Sequence, residues 1–331
     1  MKKLLTRFLL FLAPIAIIVL PIAYFDFFQV FGFPEYHLDQ RTAVNRGTMT
    51  TKTYIHLREE EKYDSFLFGS SRSHAFKCEN WKEHLPKDAK PLHFDASAEG
   101  IWGILKKMQF INENGDSIKN ALVILDRHGL SETRPRDGVL FIAMPEISKG
   151  SYVKYYSEFL KASLYPKFLL AYIDYAIFKK HREYMGNFIN TREYPFLMNR
   201  KNGDIWYGYD REIEEDSLGY YKDLIEQGVF YERPKPNNRK PEVTKEEIEQ
   251  LKLMKELFVQ HNTNYKIVLS PIYDQVPVEQ DQIDLLNEIF GSENIFNFSG
   301  KNSFTEPIHN FYETSHFRPH VANEIMEIIY Q

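Results

Sequence analysis

Short apolar runs alternate with helical patterns over most of this chain of 331 residues. The runs are aromatic and aliphatic and are bounded by small or polar residues, which is typical of strands buried on both faces. They lie at 63–68, 92–95, 121–125, 265–270 and 294–298. Apolar residues recur at helical spacing between several of these runs. Strands that alternate with helices predict an α/β fold, with a doubly wound, mostly parallel sheet flanked by helices.

The first 30 residues are largely apolar. The stretch 8–28 is interrupted only by Asp26, and it approaches the length that is needed to cross a bilayer. This predicts an N-terminal transmembrane helix, with a membrane anchor at 1–30 and one domain at 31–331. A cleaved signal peptide is the alternative, but its apolar core would be shorter, and residues 24–28 offer no small-x-small cleavage site.

The charges at the start of the chain predict how the anchor is oriented. Lys2, Lys3 and Arg7 precede the apolar stretch. Because positively charged flanks stay on the cytoplasmic side, we expect the N-terminus in the cytoplasm and the domain outside it. In a diderm bacterium the domain would lie in the periplasm, held at the inner membrane.

The overall composition excludes some partners and chemistries. The formal charge is −5, with acidic and basic residues interspersed, so nucleic acid is not expected as a partner. Cys78 is the only cysteine, so no intramolecular disulfide can form, and we interpret it as a packing residue. No cofactor or metal is predicted, because the spacing of His309, Glu313, His316 and His320 matches no common zinc pattern.

A hydroxyl-rich turn follows the first predicted strand. It is Gly69-Ser70-Ser71-Arg72-Ser73-His74, in which Gly69 allows a tight turn. Open α/β sheets place their functional sites at the carboxyl ends of their strands. The position of the turn therefore favours a nucleophile loop, and an ordinary polar strand-to-helix turn is the alternative.

A carboxylate and an imidazole lie close together near the other end of the chain. Glu313 and His316 are three residues apart, so one turn can hold both. A serine hydroxyl becomes a good nucleophile when an adjacent imidazole removes its proton and a carboxylate orients that imidazole. The sequence therefore predicts a catalytic triad in which Ser71 is the nucleophile, His316 the base and Glu313 the orienting group.

These motifs resemble those of the SGNH/GDSL hydrolase superfamily. Gly69-Ser70-Ser71 stands where the superfamily has Gly-Asp-Ser, and Glu313-x-x-His316 stands where it has Asp-x-x-His. Gly100 follows the second strand, where the superfamily places an oxyanion-hole glycine, so the resemblance implies that the amides of Ser71 and Gly100 hold the oxyanion. The pattern is most similar to membrane-anchored SGNH-like proteins of cell-envelope polymer modification, whose relatives include alginate acetylation proteins and the D-alanyl transfer protein of teichoic acids.

The chain departs from the superfamily pattern at two points. Glu313 replaces the usual aspartate. No Gly-x-Asn-Asp follows the third strand, where this chain has Asp126-Arg127-His128, so the second oxyanion donor is unassigned.

The regular alternation breaks down from about 134 to 241, where tyrosines are frequent. We interpret this segment as an insertion over the site, closed by a proline-rich extended connector at 233–241. Its aromatic faces suit sugar rings, and they suit the core of a helical cap equally well. The polar stretch 32–62, ahead of the first strand, is interpreted as a solvated lead-in.

The leading functional hypothesis is an extracytoplasmic acyl-ester enzyme, either an O-acetyltransferase or an esterase. Ser71 would take an acyl group, usually acetyl in the resembling proteins, and pass it to a hydroxyl of an envelope polysaccharide or to water. Arg72, His74 and Asp126 are the candidate substrate contacts. The resemblance also implies a multi-pass membrane acyltransferase as a partner. The alternative is a catalytically silent glycan-binding or scaffold component of an envelope polymer modification complex.

Overall fold

A computed structural model of the chain describes residues 2–32, 43–190, 196–233 and 243–331. The strands are β1 (Ser65–Gly69), β2 (Pro91–His93), β3 (Asn120–Leu125), β4 (Leu197–Met198), β5 (Ile205–Trp206), β6 (Asn264–Leu269), β7 (Ile295–Asn297), β8 (Phe311–Glu313) and β9 (His316–Phe317). The helices before the insertion are α1 (Lys2–Phe25), α2 (Arg46–Glu61), α3 (Cys78–Lys82), α4 (Ile101–Glu113) and α5 (Arg127–Ser131). The others are α6 (Pro145–Ser148), α7 (Tyr152–Ser163), α8 (Pro166–Phe178), α9 (Tyr209–Glu226), α10 (Lys245–Gln260), α11 (Gln280–Phe290) and α12 (Pro319–Ile329). Short 3-10 helices lie at Ser71–Ala75, Glu183–Phe188, Ser292–Asn294 and Ile308–Asn310.

The central sheet has five strands in the order β2-β1-β3-β6-β7, and each neighbouring pair is parallel. These are the five strands that the apolar runs predict, with ends that differ by one or two residues. Helices pack on both faces of the sheet, so the predicted α/β class and the mostly parallel sheet are confirmed.

Alternate side chains of each central strand enter different cores. Phe66 and Phe68 of β1 pack in a core with α4, α10 and α11, whereas Leu67 packs on the opposite face with α12. All three side chains are fully buried. Burial on both faces is what turns these strands into continuous apolar runs in the sequence.

The strand order creates a crevice at one edge of the sheet. From β1 the chain moves outward to β2 and then returns to β3 on the other side of β1. The carboxyl ends of β1 and β3 therefore border the point where the strand order reverses, which is where open α/β sheets bind their ligands.

The interpretation of 32–62 as a solvated lead-in is wrong for residues 46–54, whereas the charged run 56–62 is exposed or half-buried. Residues 46–54 of α2 are buried. Asn45 caps this helix by accepting a hydrogen bond from the amide of Thr48 (2.9 Å), and its side-chain amide donates to the carbonyl of Ile142 (2.9 Å). The polar residues are buried because they have partners far away in the sequence, and the composition of the segment does not reveal those partners.

The N-terminal helix α1 and the turn that follows it correspond to the predicted anchor at 1–30. Within the described ranges, no helix combines the length and the apolarity that crossing a membrane requires. The end of α1 packs against the insertion, since the ring of Phe28 stacks on that of Phe168 (5.2 Å between centroids) and Ile22 joins the same cluster.

The predicted insertion contains α6 to α9 and the small antiparallel sheet of β4 and β5. The connector predicted at 233–241 lies almost wholly outside the described residues. The described part of the insertion extends over the carboxyl edge of the central sheet, where its side chains form one wall of a cavity.

Candidate active site

The turn after β1 presents Ser71 at the carboxyl edge of the sheet. Gly69 has a φ of +152°, and a Cβ at this position would lie 2.7 Å from the carbonyl oxygen of Ile124 on β3. Only glycine fits this close approach. The side chain of Ser70 then accepts a hydrogen bond from the amide of Arg72 (3.4 Å), and Ser71 begins the short 3-10 helix.

The carboxylate and the imidazole lie on a β-hairpin. Glu313 on β8 is directly opposite His316 on β9, and the amide of Ser315 in the connecting turn donates to the Glu313 carboxylate (2.7 Å). Side chains opposite each other on paired strands are close neighbours. Phe317 packs edge-on against Phe76, which follows the turn that carries Ser71, and this contact holds the hairpin beside Ser71.

The structure brings Ser71, His316 and Glu313 into a continuous hydrogen-bonded chain. Nε2 of His316 lies 2.8 Å from Oγ of Ser71, and Nδ1 bonds to Oε1 of Glu313. A carboxylate can only accept, so Nδ1 carries the proton and Nε2 is free to accept the proton of Ser71. Burial raises the pKa of Glu313, but the hydrogen bond and charge of His316 and the hydrogen bonds from Ser315 together lower it below its usual value, so the carboxyl group stays ionised. This is the arrangement that activates a serine nucleophile.

The loop after β2 approaches the site through Ala98. Ser97 and Ala98 line the same cavity as Ser71, and Ala98 has a φ of 50°. Gly100 lies two residues further on, where a Cβ would meet Glu132 at 2.4 Å and the carbonyl of Gly129 at 2.7 Å. Packing against these residues therefore accounts for the glycine, and the oxyanion role of Gly100 stays a prediction. The sequence pattern did not single out Ala98.

A cavity of about 560 Å³ opens beside Ser71 and His316. The insertion contributes most of its apolar wall, through Leu140, Phe141, Phe196, Leu197, Met198 and Ile205. His74 also lines this cavity. Its volume is in the range of small-molecule binding sites.

A second cavity of about 410 Å³ lies on the other side of the turn that carries Ser71, and its wall is polar. Ser70, Arg72 and Asp126 line it, and Arg72 forms an ion pair with Asp126. Asp126 also caps α5, because its carboxylate accepts from the amide of His128 (2.7 Å). Two of the three predicted substrate contacts, Arg72 and Asp126, are thus brought together here, and Ala98 borders both cavities.

A buried polar network supports the site from behind. The guanidinium of Arg46 contacts the Asp95 carboxylate (2.6 Å), and Nε2 of His74 bonds to the same carboxylate (2.6 Å). Burial lowers the pKa of His74 to about 3, although Asp95 opposes this shift, so the ring is neutral at pH 7. Nε2 then carries the proton, and Nδ1 accepts from the hydroxyl of Tyr207. Both ring nitrogens of His74 therefore have partners within the protein.

Tyr207 connects this network to the triad. Its ring lies 5.8 Å from that of His316, and it lines the apolar cavity. Burial raises the pKa of Tyr207, so its hydroxyl stays protonated and continues to donate to His74. No short motif marks Arg46, Asp95 or Tyr207 in the sequence, because their partners come from three distant segments.

The buried imidazole of His74 predicts sensitivity to acid. In the unfolded chain it takes up a proton below its ordinary pKa of 6.5, whereas in the folded chain, beside Asp95, Arg46 and His93, it does so only near pH 3. Between these values the unfolded state binds more protons, so the free energy of unfolding should fall by up to about 2 kcal/mol from pH 7 to pH 5. Urea unfolding at both pH values measures this change. An equal loss in the His74→Gln variant would contradict the assignment.

Tyrosines of the insertion hold the β8–β9 hairpin in place. The hydroxyl of Tyr221 donates to the carbonyl of Phe311 (2.9 Å), and that of Tyr220 donates to the carbonyl of Tyr312 (2.9 Å). Other tyrosines line the apolar cavity, and several are exposed. The aromatic insertion therefore serves packing at some positions and leaves aromatic faces at the site in others.

The remaining reactive side chains have structural partners. Burial raises the pKa of Cys78, so this residue stays a thiol, in agreement with its interpretation as a packing residue. His320 bonds to the side chain of Asn310 (3.0 Å), and His309 packs on Tyr221. In the part of the chain that the structure describes, no group of three or more His, Cys, Asp or Glu side chains is placed to hold a metal ion.

No model of a known protein family and no curated protein matches this chain, so the geometry of its side chains carries the functional argument.

Proposed function

We propose that this chain is an SGNH-like serine acyl-ester enzyme, either an O-acyltransferase or an esterase. The observation that carries the proposal is the hydrogen bond of 2.8 Å between Nε2 of His316 and Oγ of Ser71, with Glu313 bonded to the other ring nitrogen. The position at the strand-order reversal of a parallel sheet also supports it.

The first half of the reaction transfers the acyl group to Ser71. Nε2 of His316 takes the hydroxyl proton as Oγ attacks the ester carbonyl, and Glu313 stabilises the imidazolium that forms. Backbone amides of Ser71 and of the loop 98–100 are the proposed donors to the oxyanion. His316 then returns the proton to the leaving oxygen, which leaves an acyl-enzyme on Ser71.

The second half uses a hydroxyl or a water as the acceptor. His316 takes its proton, the acceptor oxygen attacks the acyl carbonyl, and Ser71 recovers its proton. The polar cavity beside the turn that carries Ser71 suits a hydroxylated acceptor such as a glycan, because Ser131, Glu132 and Arg136 add hydroxyl, carboxylate and guanidinium groups to its wall. A cell-envelope polysaccharide is the acceptor class that the resemblance favours.

The cellular setting belongs to the same proposal. The basic residues at the chain start and the apolar stretch 8–28 favour attachment to the cytoplasmic membrane, with the domain on the outer side of it. A multi-pass membrane acyltransferase is the proposed source of the acyl group.

Trapping the acyl-enzyme tests the function. The purified full chain is mixed with an activated acetyl ester, quenched at short times, digested and examined by mass spectrometry. We expect an acetyl group on the peptide that contains Ser71, with release accelerated by an oligosaccharide acceptor. Labelling that persists unchanged in the His316→Ala variant, or that falls on another residue, would favour a catalytically silent binding or scaffold protein instead.

Substitutions at Glu313 should give a graded loss of activity. The carboxylate fixes the tautomer of His316 and stabilises the imidazolium, so Glu313→Gln should lower the acylation rate by roughly 10³- to 10⁴-fold. Glu313→Asp keeps the charge on a shorter side chain and should lose less, roughly 10- to 100-fold. Single-turnover acylation measures both variants. Equal rates for the two variants would show that the carboxylate charge has no part in the reaction.

A further inference from the structure

The apolar cavity beside Ser71 is lined by more apolar side chains than the binding of a polar substrate would require. Among its described lining residues there is no aspartate or glutamate. The guanidinium of Arg46 is held by Asp95 and by the carbonyl of Gly203, and both ring nitrogens of His74 are bonded within the protein. The ionisable groups deep in this wall are therefore already satisfied, and the cavity presents mainly apolar surface to a ligand.

Large apolar side chains in this wall are open to solvent. Phe141 is 39% exposed, Phe196 is 46% exposed and Leu197 is 48% exposed. An apolar ligand that covered them would remove their surface from water, which is favourable. The contrast with the polar cavity across the catalytic turn is clear, since that cavity is lined by Arg72 and Asp126.

The size of the cavity exceeds what an acetyl group requires. At roughly 30 Å³ for each heavy atom, an acetyl group occupies about 90 Å³ and an octanoyl group about 270 Å³. The cavity holds about 560 Å³. Gln29, which follows the end of α1, also lines it, so the cavity reaches from the nucleophile to the predicted membrane anchor.

We propose that this cavity binds the hydrocarbon chain of the acyl donor, and that the transferred group is a medium- or long-chain acyl group rather than acetyl. This inference rests on the proposed function of Ser71. The carbonyl carbon of the donor ester forms its bond to Oγ of Ser71, the bond to the leaving oxygen breaks, and that oxygen receives the proton from His316. The chain lies along the wall formed by Phe141, Phe196 and Leu197, and the acceptor enters from the polar cavity.

Chain-length dependence of acylation tests this inference. The full chain, in a fixed concentration of detergent, is given p-nitrophenyl acetate, butyrate or octanoate, and kcat/KM is measured for each ester. Each buried methylene contributes roughly fourfold to binding. Because the hydrocarbon chain is covered only in part, we expect kcat/KM for octanoate to exceed that for acetate by at least about 30-fold. A kcat/KM for octanoate equal to or below that for acetate, with Ser71 still acylated, would overturn the inference and leave the proposed function intact.

Variants of the cavity wall test where the hydrocarbon chain of the donor lies. Leu197→Trp should lower kcat/KM for octanoate at least about 10-fold and that for acetate less than about threefold, because the indole occupies the space of the chain. Phe196→Ala, which removes apolar surface without filling the cavity, should also lower kcat/KM for octanoate selectively. Val153→Trp is the matched control, since Val153 is 80% exposed on α7 and should leave all three esters unchanged.

The outcomes separate the two proposals. An equal loss of kcat/KM for acetate and octanoate in Leu197→Trp, with an unchanged melting temperature, would show that the hydrocarbon chain does not lie in this cavity. A Ser71→Ala variant that reacts with every ester as fast as the unmodified protein would instead contradict the proposed function itself.

Discussion

Replacing Ser71 by alanine is expected to lower kcat/KM for ester hydrolysis by about 10⁴-fold or more. In the proposed reaction Oγ of Ser71 forms the covalent bond, and it is the hydroxyl to which Nε2 of His316 is hydrogen-bonded. Steady-state hydrolysis of an activated ester measures the loss, and the melting temperature checks that the fold is intact.

Ser70→Ala is the matched comparison, because it removes a hydroxyl from the adjacent residue of the same turn. The Ser70 side chain caps the 3-10 helix through the amide of Arg72 and lines the polar cavity, but it is not bonded to His316, so the loss in ester hydrolysis should be less than about tenfold. If Ser70→Ala and Ser71→Ala lost activity to the same extent, the turn would be required for structure and the nucleophile would lie elsewhere.

Replacing Asp95 by asparagine should destabilise the fold by about 3–5 kcal/mol. Asp95 is fully buried, and burial raises its pKa, but Arg46 and His74 lower that pKa well below its usual value. The neutral variant removes the carboxylate that is paired with the buried guanidinium of Arg46, and losing one partner of a buried ion pair is costly in a medium of low polarity. Urea unfolding at pH 7 measures the loss.

An exposed ion pair provides the control. Glu59 pairs with Lys62 at the end of α2, and both side chains are about 70% exposed, so Glu59→Gln should change the free energy of unfolding by less than about 1 kcal/mol. Adding Arg46→Met to Asp95→Asn should recover part of the loss, because the second charge of the buried pair is then removed as well. A single Asp95→Asn variant as stable as Glu59→Gln would show that the buried pair contributes little.

The sheet could be predicted from the sequence because each central strand carries its own signal. Phe66, Leu67 and Phe68 are apolar on both faces of β1, and this continuous run needs no knowledge of the partner strands. The pairing of Glu313 with His316 is also local, since the two residues face each other across one hairpin. Local signals of this kind can be detected in a single sequence.

The supporting residues could not be predicted, because their roles depend on contacts between distant segments. Arg46 lies in a stretch whose composition predicts a polar and exposed segment, and its contacts with Asp95 and Gly203 explain its burial. Gly100 is a second residue whose contacts could not be predicted from the sequence. Its position suggests an oxyanion donor, whereas the structure also gives it a packing role against Glu132. The division of the site into an apolar and a polar cavity likewise arises from the insertion, whose apolar residues follow no periodic pattern that marks a wall.

The sequence distance between Ser71 and His316 has a consequence for biosynthesis. The two residues are 245 positions apart, and all the strands from β2 to β8 lie between them in the sequence. The ribosome makes Ser71 long before His316, so a nascent chain that includes Ser71 but not yet His316 contains a serine that this imidazole cannot activate. On the proposed mechanism, a serine-directed probe should therefore not label Ser71 in fragments that end before His316.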